Sequence, residues 1–181
     1  MEELDPERKL RVYELIISRY KEIINKEESR SLSELRQKIS PYDEFTKSLV
    51  EKLIPELQPY SYEKHFFSAL QKCIDYIKEI HNLKLQINLT MSFKEIDELK
   101  AGPVLDQALL FCSLLRALGS PDAKVYVTQA KYYVGFKFSE ESYLVDPESG
   151  SILRGADAES AFMEDKLKCA FNDLYFETFE E

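Results

Sequence analysis

Gly102-Pro103-Val104-Leu105-Asp106-Gln107-Ala108-Leu109-Leu110-Phe111-Cys112-Ser113-Leu114-Leu115-Arg116-Ala117-Leu118-Gly119-Ser120-Pro121 is the most apolar stretch of the chain. Ala101-Gly102-Pro103 ends a short preceding helix and Gly119 suits a C-terminal cap, so a helix is predicted from about Val104 to Leu118. A helix apolar around its whole circumference belongs at the centre of a fold. Asp106, Gln107 and Arg116 interrupt the stretch, which is also shorter than a bilayer requires, so it does not read as a membrane span. Asp106 falls in the first turn, where the helix dipole favours a carboxylate. Arg116, near the other end, needs a partner for its charge; Asp146 is one of several carboxylates that could supply it.

Downstream of Pro121 the pattern changes. Residues 124–130, 132–138 and 142–145 are rich in Val, Tyr and Phe and read as three strands. Pro147-Glu148-Ser149-Gly150 marks a turn, followed by a short apolar segment at Ile152-Leu153. Residues 157–169 read as a helix, and the tail from Phe171 is acidic and aromatic.

Upstream, Asp5-Pro6 opens an amphipathic helix in which Leu10, Tyr13, Ile17, Tyr20 and Ile24 recur at steps of three and four. A stripe this short is expected to pack inside its own domain. Ser31-Leu32-Ser33-Glu34 and Ser92-Phe93-Lys94-Glu95 are capping boxes for two short helices. Phe45 to Ile54 gives another helix, and Ser61 to about His81-Asn82 a longer one. Leu85, Ile87 and Leu89 alternate with Lys84, Gln86, Asn88 and Thr90, which fits a strand or an extended connection equally. Helices followed by a strand meander give an α+β class, with an N-terminal helical region over residues 1–60 and an α+β domain over 61–181.

The chain of 181 residues carries a net charge of −9, which opposes binding to nucleic acid phosphates. Three cysteines, Cys73, Cys112 and Cys169, are isolated and odd in number, so a disulfide framework is not expected and a reducing cytoplasm is. The two histidines, His65 and His81, fall at the two ends of one predicted helix and form no HxH or HExxH motif, so neither metal nor cofactor is expected. The N-terminus lacks the basic, apolar and small-residue order of a secretory leader.

The run Gly102 to Leu110, with its continuation Leu114-Leu115-Arg116-Ala117-Leu118-Gly119-Ser120-Pro121, resembles the signature helix of the transglutaminase-like superfamily. That helix begins Gly-x-Cys-x-[Asp/Glu]-x-Ala, ends Leu-Leu-Arg-Ala-x-Gly-x-Pro and leads into a strand, here Ala123-Lys124-Val125 after one extra residue, Asp122. Tyr143-Leu144-Val145-Asp146-Pro147 is similar to the family's strand ending in Asp-Pro. The resemblance implies a cysteine-protease-like fold and a Cys, His, Asp triad. A cysteine at the helix start gains thiolate character from the dipole, and a histidine held by a carboxylate acts as its base.

Here the cysteine slot holds Val104 and the histidine slot Tyr132 or Tyr133, leaving Asp146 alone of the three. The resemblance therefore implies a degenerate member that binds a protein or peptide without turnover, in a cleft that would include Tyr132, Asp106 and Gln107. Two other readings compete with it. One is a cysteine-dependent peptidase, amidase or acyltransferase using displaced Cys112 or Cys73. The other is a helical protein that self-associates through residues 1–60. A catalytic pair of Asp106 and Asp146 is the weaker reading of those carboxylates, since a helix start and an Asx turn account for them.

Overall fold

The computed structural model describes residues 5–85 and 87–179. Gln86, one of the alternating polar positions above, lies outside them. Seven α-helices and eight strands follow in the order α1 (Pro6–Glu27), α2 (Leu32–Lys38), α3 (Glu44–Leu53), α4 (Tyr62–Lys78), β1 (His81–Asn82), α5 (Phe93–Leu99), β2 (Ala101–Gly102), α6 (Val104–Ala117), β3 (Lys124–Thr128), β4 (Tyr132–Phe138), β5 (Glu141–Val145), β6 (Ile152–Arg154), α7 (Ala156–Glu164), β7 (Leu167–Phe171) and β8 (Phe176–Thr178). The fold is α+β, with a buried central helix packed on a small antiparallel sheet.

Helix starts follow their local chemistry. The Asp5 carboxylate accepts from the Glu7 and Arg8 amides, and both capping boxes form, with Ser31 and Ser92 accepting from the Glu34 and Glu95 amides while those carboxylates reach back. At α4 the Ser61 side chain makes no cap; instead the Ser61 amide donates to His65 Nδ1 at 3.1 Å. His81 is in β1 rather than in the last turn of α4, because that helix stops at Lys78.

Six strands form one antiparallel sheet in the order β6-β5-β4-β3-β7-β8. Val125, Val134, Phe136 and Val145 face the main core, where α6 lies, and α6 is buried from Asp106 to Arg116. Ile39, Leu49 and Ile54 join that core from the N-terminal helices, and Phe66 of α4 stacks on Phe138 with ring centres 5.3 Å apart. The opposite face carries Tyr126, Tyr133 and Leu144 under Ala158, Ala161 and Phe162 of α7. Gly135 is needed there: a Cβ at this position would come within 2.6 Å of the Tyr126 ring, which lies across it and stacks on Phe162.

Three segments depart from the sequence reading. The helix expected over 157–169 ends at Glu164, and Leu167–Phe171 becomes β7, paired with β3 on one side and β8 on the other. A long-range ladder here overrides local preference. The segment around Leu85 pairs with no strand among the described residues; β1 and β2 form only a two-residue parallel bridge beside it. Finally, α1 buries none of its residues, so the stripe expected to pack inside the domain faces outward. No helix of the described residues is long and apolar enough to cross a membrane.

Candidate functional site

Gly102 ends β2, Pro103 caps α6 without a side-chain hydrogen bond, and Val104 takes the first helical position. Backbone hydrogen bonds from the His81 and Leu83 amides to the Lys100 and Gly102 carbonyls hold this corner against the chain that follows α4. A cleft of about 540 Å³ opens at the helix start. Its floor is Pro103, Val104 and Leu105, and Tyr132 of β4 closes one end. Also lining it are the Glu28-Ser29-Arg30 connection, Leu35 of α2, residues 82–85 and residues 87–89. The size suits a ligand site, and the lining mixes apolar side chains with Glu28, Arg30, Lys84 and Asn88. Asn82 brings a polar feature: its side-chain nitrogen donates to Glu148 at 2.9 Å, while its Oδ1 is buried without a hydrogen-bond partner among the described residues.

Strand geometry separates the two tyrosines. Tyr132 lies on the core face with Val134 and Phe136, and it reaches the cleft with Val104. Tyr133 points to the other face, among Leu144 and the side chains of α7. Continuing the β4–β5 register from Val134 opposite Val145 sets Tyr133 opposite Asp146. Asp146 is not in the cleft lining. Its Oδ1 accepts from the Glu148 and Ser149 amides at 2.8 and 3.4 Å, and its Oδ2 from Lys131 Nζ at 3.4 Å, which is an Asx turn with an added ion pair. Asp146 in turn raises the pKa of Lys131.

Asp106 and Gln107, expected in the cleft, are buried beneath it. Asp106 Oδ1 accepts from Arg30 Nη1 at 2.8 Å and Lys38 Nζ at 2.9 Å, and Oδ2 accepts from the Met91 amide at 2.9 Å. Lys38 also donates to the Met91 carbonyl. Burial lowers the Lys38 pKa, and Asp106 opposes that shift. Gln107 Nε2 donates to the Gly102 carbonyl at 2.8 Å. Both side chains are thus committed to holding the helix start, because the first turn of a central helix points two of its residues inward. Arg116 finds its partner in Asp173, not Asp146: Nε and Nη2 form a two-pronged pair at 2.9 and 3.0 Å, and Nη1 donates to the Pro121 carbonyl.

Neither Cys112 nor Cys73, the two candidate displaced nucleophiles, is placed to act as one. Cys112 and Cys73 are fully buried; desolvation pushes Cys73 up to about 12 and drives Cys112 upward as well, the opposite of what a thiolate needs. Among the described residues no group of three or more His, Cys, Asp or Glu side chains could hold a metal ion. The lining by residues 82–85 and 87–89 and the cations around Asp106 escaped sequence reasoning; the only local sign was alternation at Leu85, Ile87 and Leu89.

A second hollow of about 730 Å³ lies on the other face of the sheet, between Lys124, Lys137, Arg154 and Glu159 over a floor of Tyr126, Gly135 and Leu144. Neither Val104 nor Tyr132 lines it, although Asp122, Lys124, Tyr143 and Leu144 do.

No family model matches the chain, and no curated protein matches it. Two structures of LapG from Legionella pneumophila do. The EGTA-treated form is 16% identical with a TM-score of 0.56 over 84% of this chain and 87% of that one. The calcium-bound form is 17% identical with a TM-score of 0.43 over 73% and 88%. At this identity the likeness concerns architecture alone: the chain shares the fold of the EGTA-treated LapG structure.

Proposed function

We propose that the protein is a non-catalytic transglutaminase-like domain that receives an extended peptide or protein segment in the cleft at the start of α6. The observation that carries this reading is that Val104 and Tyr132 line one cleft, at the end of a central helix where the related fold would place reactive groups. Valine has no nucleophilic atom. Tyrosine offers area and a hydroxyl at low conformational cost, which favours recognition over proton transfer near neutral pH. Residues 82–85 and 87–89 line the cleft beside the helix start and offer backbone against which an extended chain can lie. A reducing cytoplasm is the setting we infer from the odd number of cysteines.

A phage-displayed peptide library panned on the purified protein tests this directly. Selected peptides should lose at least about tenfold in affinity, roughly 1.4 kcal/mol, on Tyr132→Ala and on Val104→Trp, which fills the cleft. Peptides that bind both variants undiminished would place recognition elsewhere. The enzymatic alternative is checked on the unmodified protein with amide and ester substrates: turnover that survives loss of all three cysteines but disappears on Asp146→Asn would refute the non-catalytic reading.

A further inference from the structure

The 22 residues of α1 span about 33 Å. Leu10, Tyr13, Ile16, Ile17, Tyr20 and Ile23 are between 41% and 60% exposed. The helix is tied to the body at its C-terminal end, where the Asn25 and Glu28 side chains accept from the Asn88 and Thr90 amides. We propose that this apolar face pairs with α1 of a second copy in an antiparallel coiled coil.

Self-complementarity supports that occupant. In heptad terms Leu10, Ile17 and Ile24 take a, Tyr13 and Tyr20 take d, Ile16 and Ile23 take g, and Glu14 and Lys21 take e. An antiparallel pair with Ile17 opposite Tyr20 of the second copy sets e against e and g against g. Glu14 then faces Lys21 of the second copy, Lys21 faces its Glu14, and Ile16 meets its Ile23 on both sides. A parallel pair would set g against e, placing Ile16 beside Lys21 of the second copy. It would also bring two bodies to the same end of the coil, since each is attached where α1 finishes. The antiparallel arrangement keeps them apart by about the helix length.

An anionic membrane is the competing occupant, because α1 carries Arg8, Lys9, Arg11, Arg19, Lys21 and Lys26 against four glutamates. The chain's net charge of −9 opposes such a surface, and lipid offers nothing to match the Glu14 and Lys21 pattern.

Sedimentation equilibrium of the full chain should show a monomer–dimer equilibrium. Ile16→Glu with Ile23→Glu should weaken it at least about a hundredfold, because four isoleucines leave the interface. Thermal stability of the monomer should be unchanged, since these side chains are exposed in it. Glu14→Lys should also weaken association, and adding Lys21→Glu should restore it, which reads out the antiparallel register without changing the apolar face. A chain that stays monomeric at about 1 mM overturns the proposal. So does a dimer indifferent to both sets of substitutions. Binding of a strictly monomeric chain to phosphatidylserine vesicles would assign α1 to membranes instead.

Discussion

Asp106→Asn isolates the charge at the root of α6. The asparagine keeps the shape and one acceptor for the Met91 amide, so the change removes the negative charge facing Arg30 and Lys38. A hydrogen bond to a charged group is worth about 1.5–3 kcal/mol, and breaking one side of a buried ion pair costs about 3–5 kcal/mol. Asp106 is fully enclosed, but the Arg30 and Lys38 side chains retain 16% of their exposure, so water can relieve part of the stranded charge. The lower end of that range follows, about 3 kcal/mol, or a drop in Tm of about 6–12 °C for a domain of this size. Urea denaturation followed by far-UV circular dichroism near neutral pH measures it. Adding Lys38→Met should recover part of the loss by removing one unpaired cation. A loss below about 1 kcal/mol, or no recovery in the double variant, would refute the assignment of Asp106 as the counter-charge that closes this junction.

Leu114→Ala should cost about 2–5 kcal/mol, because Leu114 is fully buried on α6; the same denaturation assay checks it. Gly135→Ala should cost about 1–3 kcal/mol, since the added Cβ would displace the Tyr126 ring from its place against Phe162, and the near-UV tyrosine dichroism should change with it. The capping-box carboxylates predict a component of acid instability. Hydrogen bonds from the Ser31 side chain and amide hold Glu34 below its ordinary 4.5, and those from Ser92 do the same for Glu95. Their folded values lie below the unfolded ones, so the stability they contribute is present above about 4.5 and is lost as pH falls through the folded values. Glu34→Gln with Glu95→Gln should flatten that part of the urea midpoint's dependence on pH.

The central helix and the first three sheet strands were legible because their signals are local: a glycine exit, an apolar circumference, and runs of Val, Tyr and Phe. The strand β7 was not, since Leu167–Phe171 follows a helix without a turn signal and owes its form to Val125, Tyr126 and Val127 far upstream. The stripe on α1 was read correctly as amphipathic but assigned to the interior, because periodicity shows which face is apolar and not what covers it. At the site, Val104 follows from the helix start alone. The choice between Tyr132 and Tyr133 could not, as a shift of one residue in a strand exchanges the two faces of the sheet. Arg30 and Lys38 lie 76 and 68 residues from Asp106, and no spacing rule links a carboxylate to cations at that range.

The strand order imposes a schedule on a chain made from its N-terminus. When β3, β4 and β5 have emerged they can pair among themselves, but β3 keeps an open edge until Leu167–Phe171 arrives to cover it. Arg116 waits as well, because its carboxylate partner Asp173 is made 57 residues later. For that interval the nascent protein holds a strand paired on one edge only and an unneutralised guanidinium, which is the condition under which chaperones and neighbouring chains compete with native pairing. A ribosome stalled before Leu167 would therefore hold a chain whose sheet is unfinished at its middle rather than at its rim.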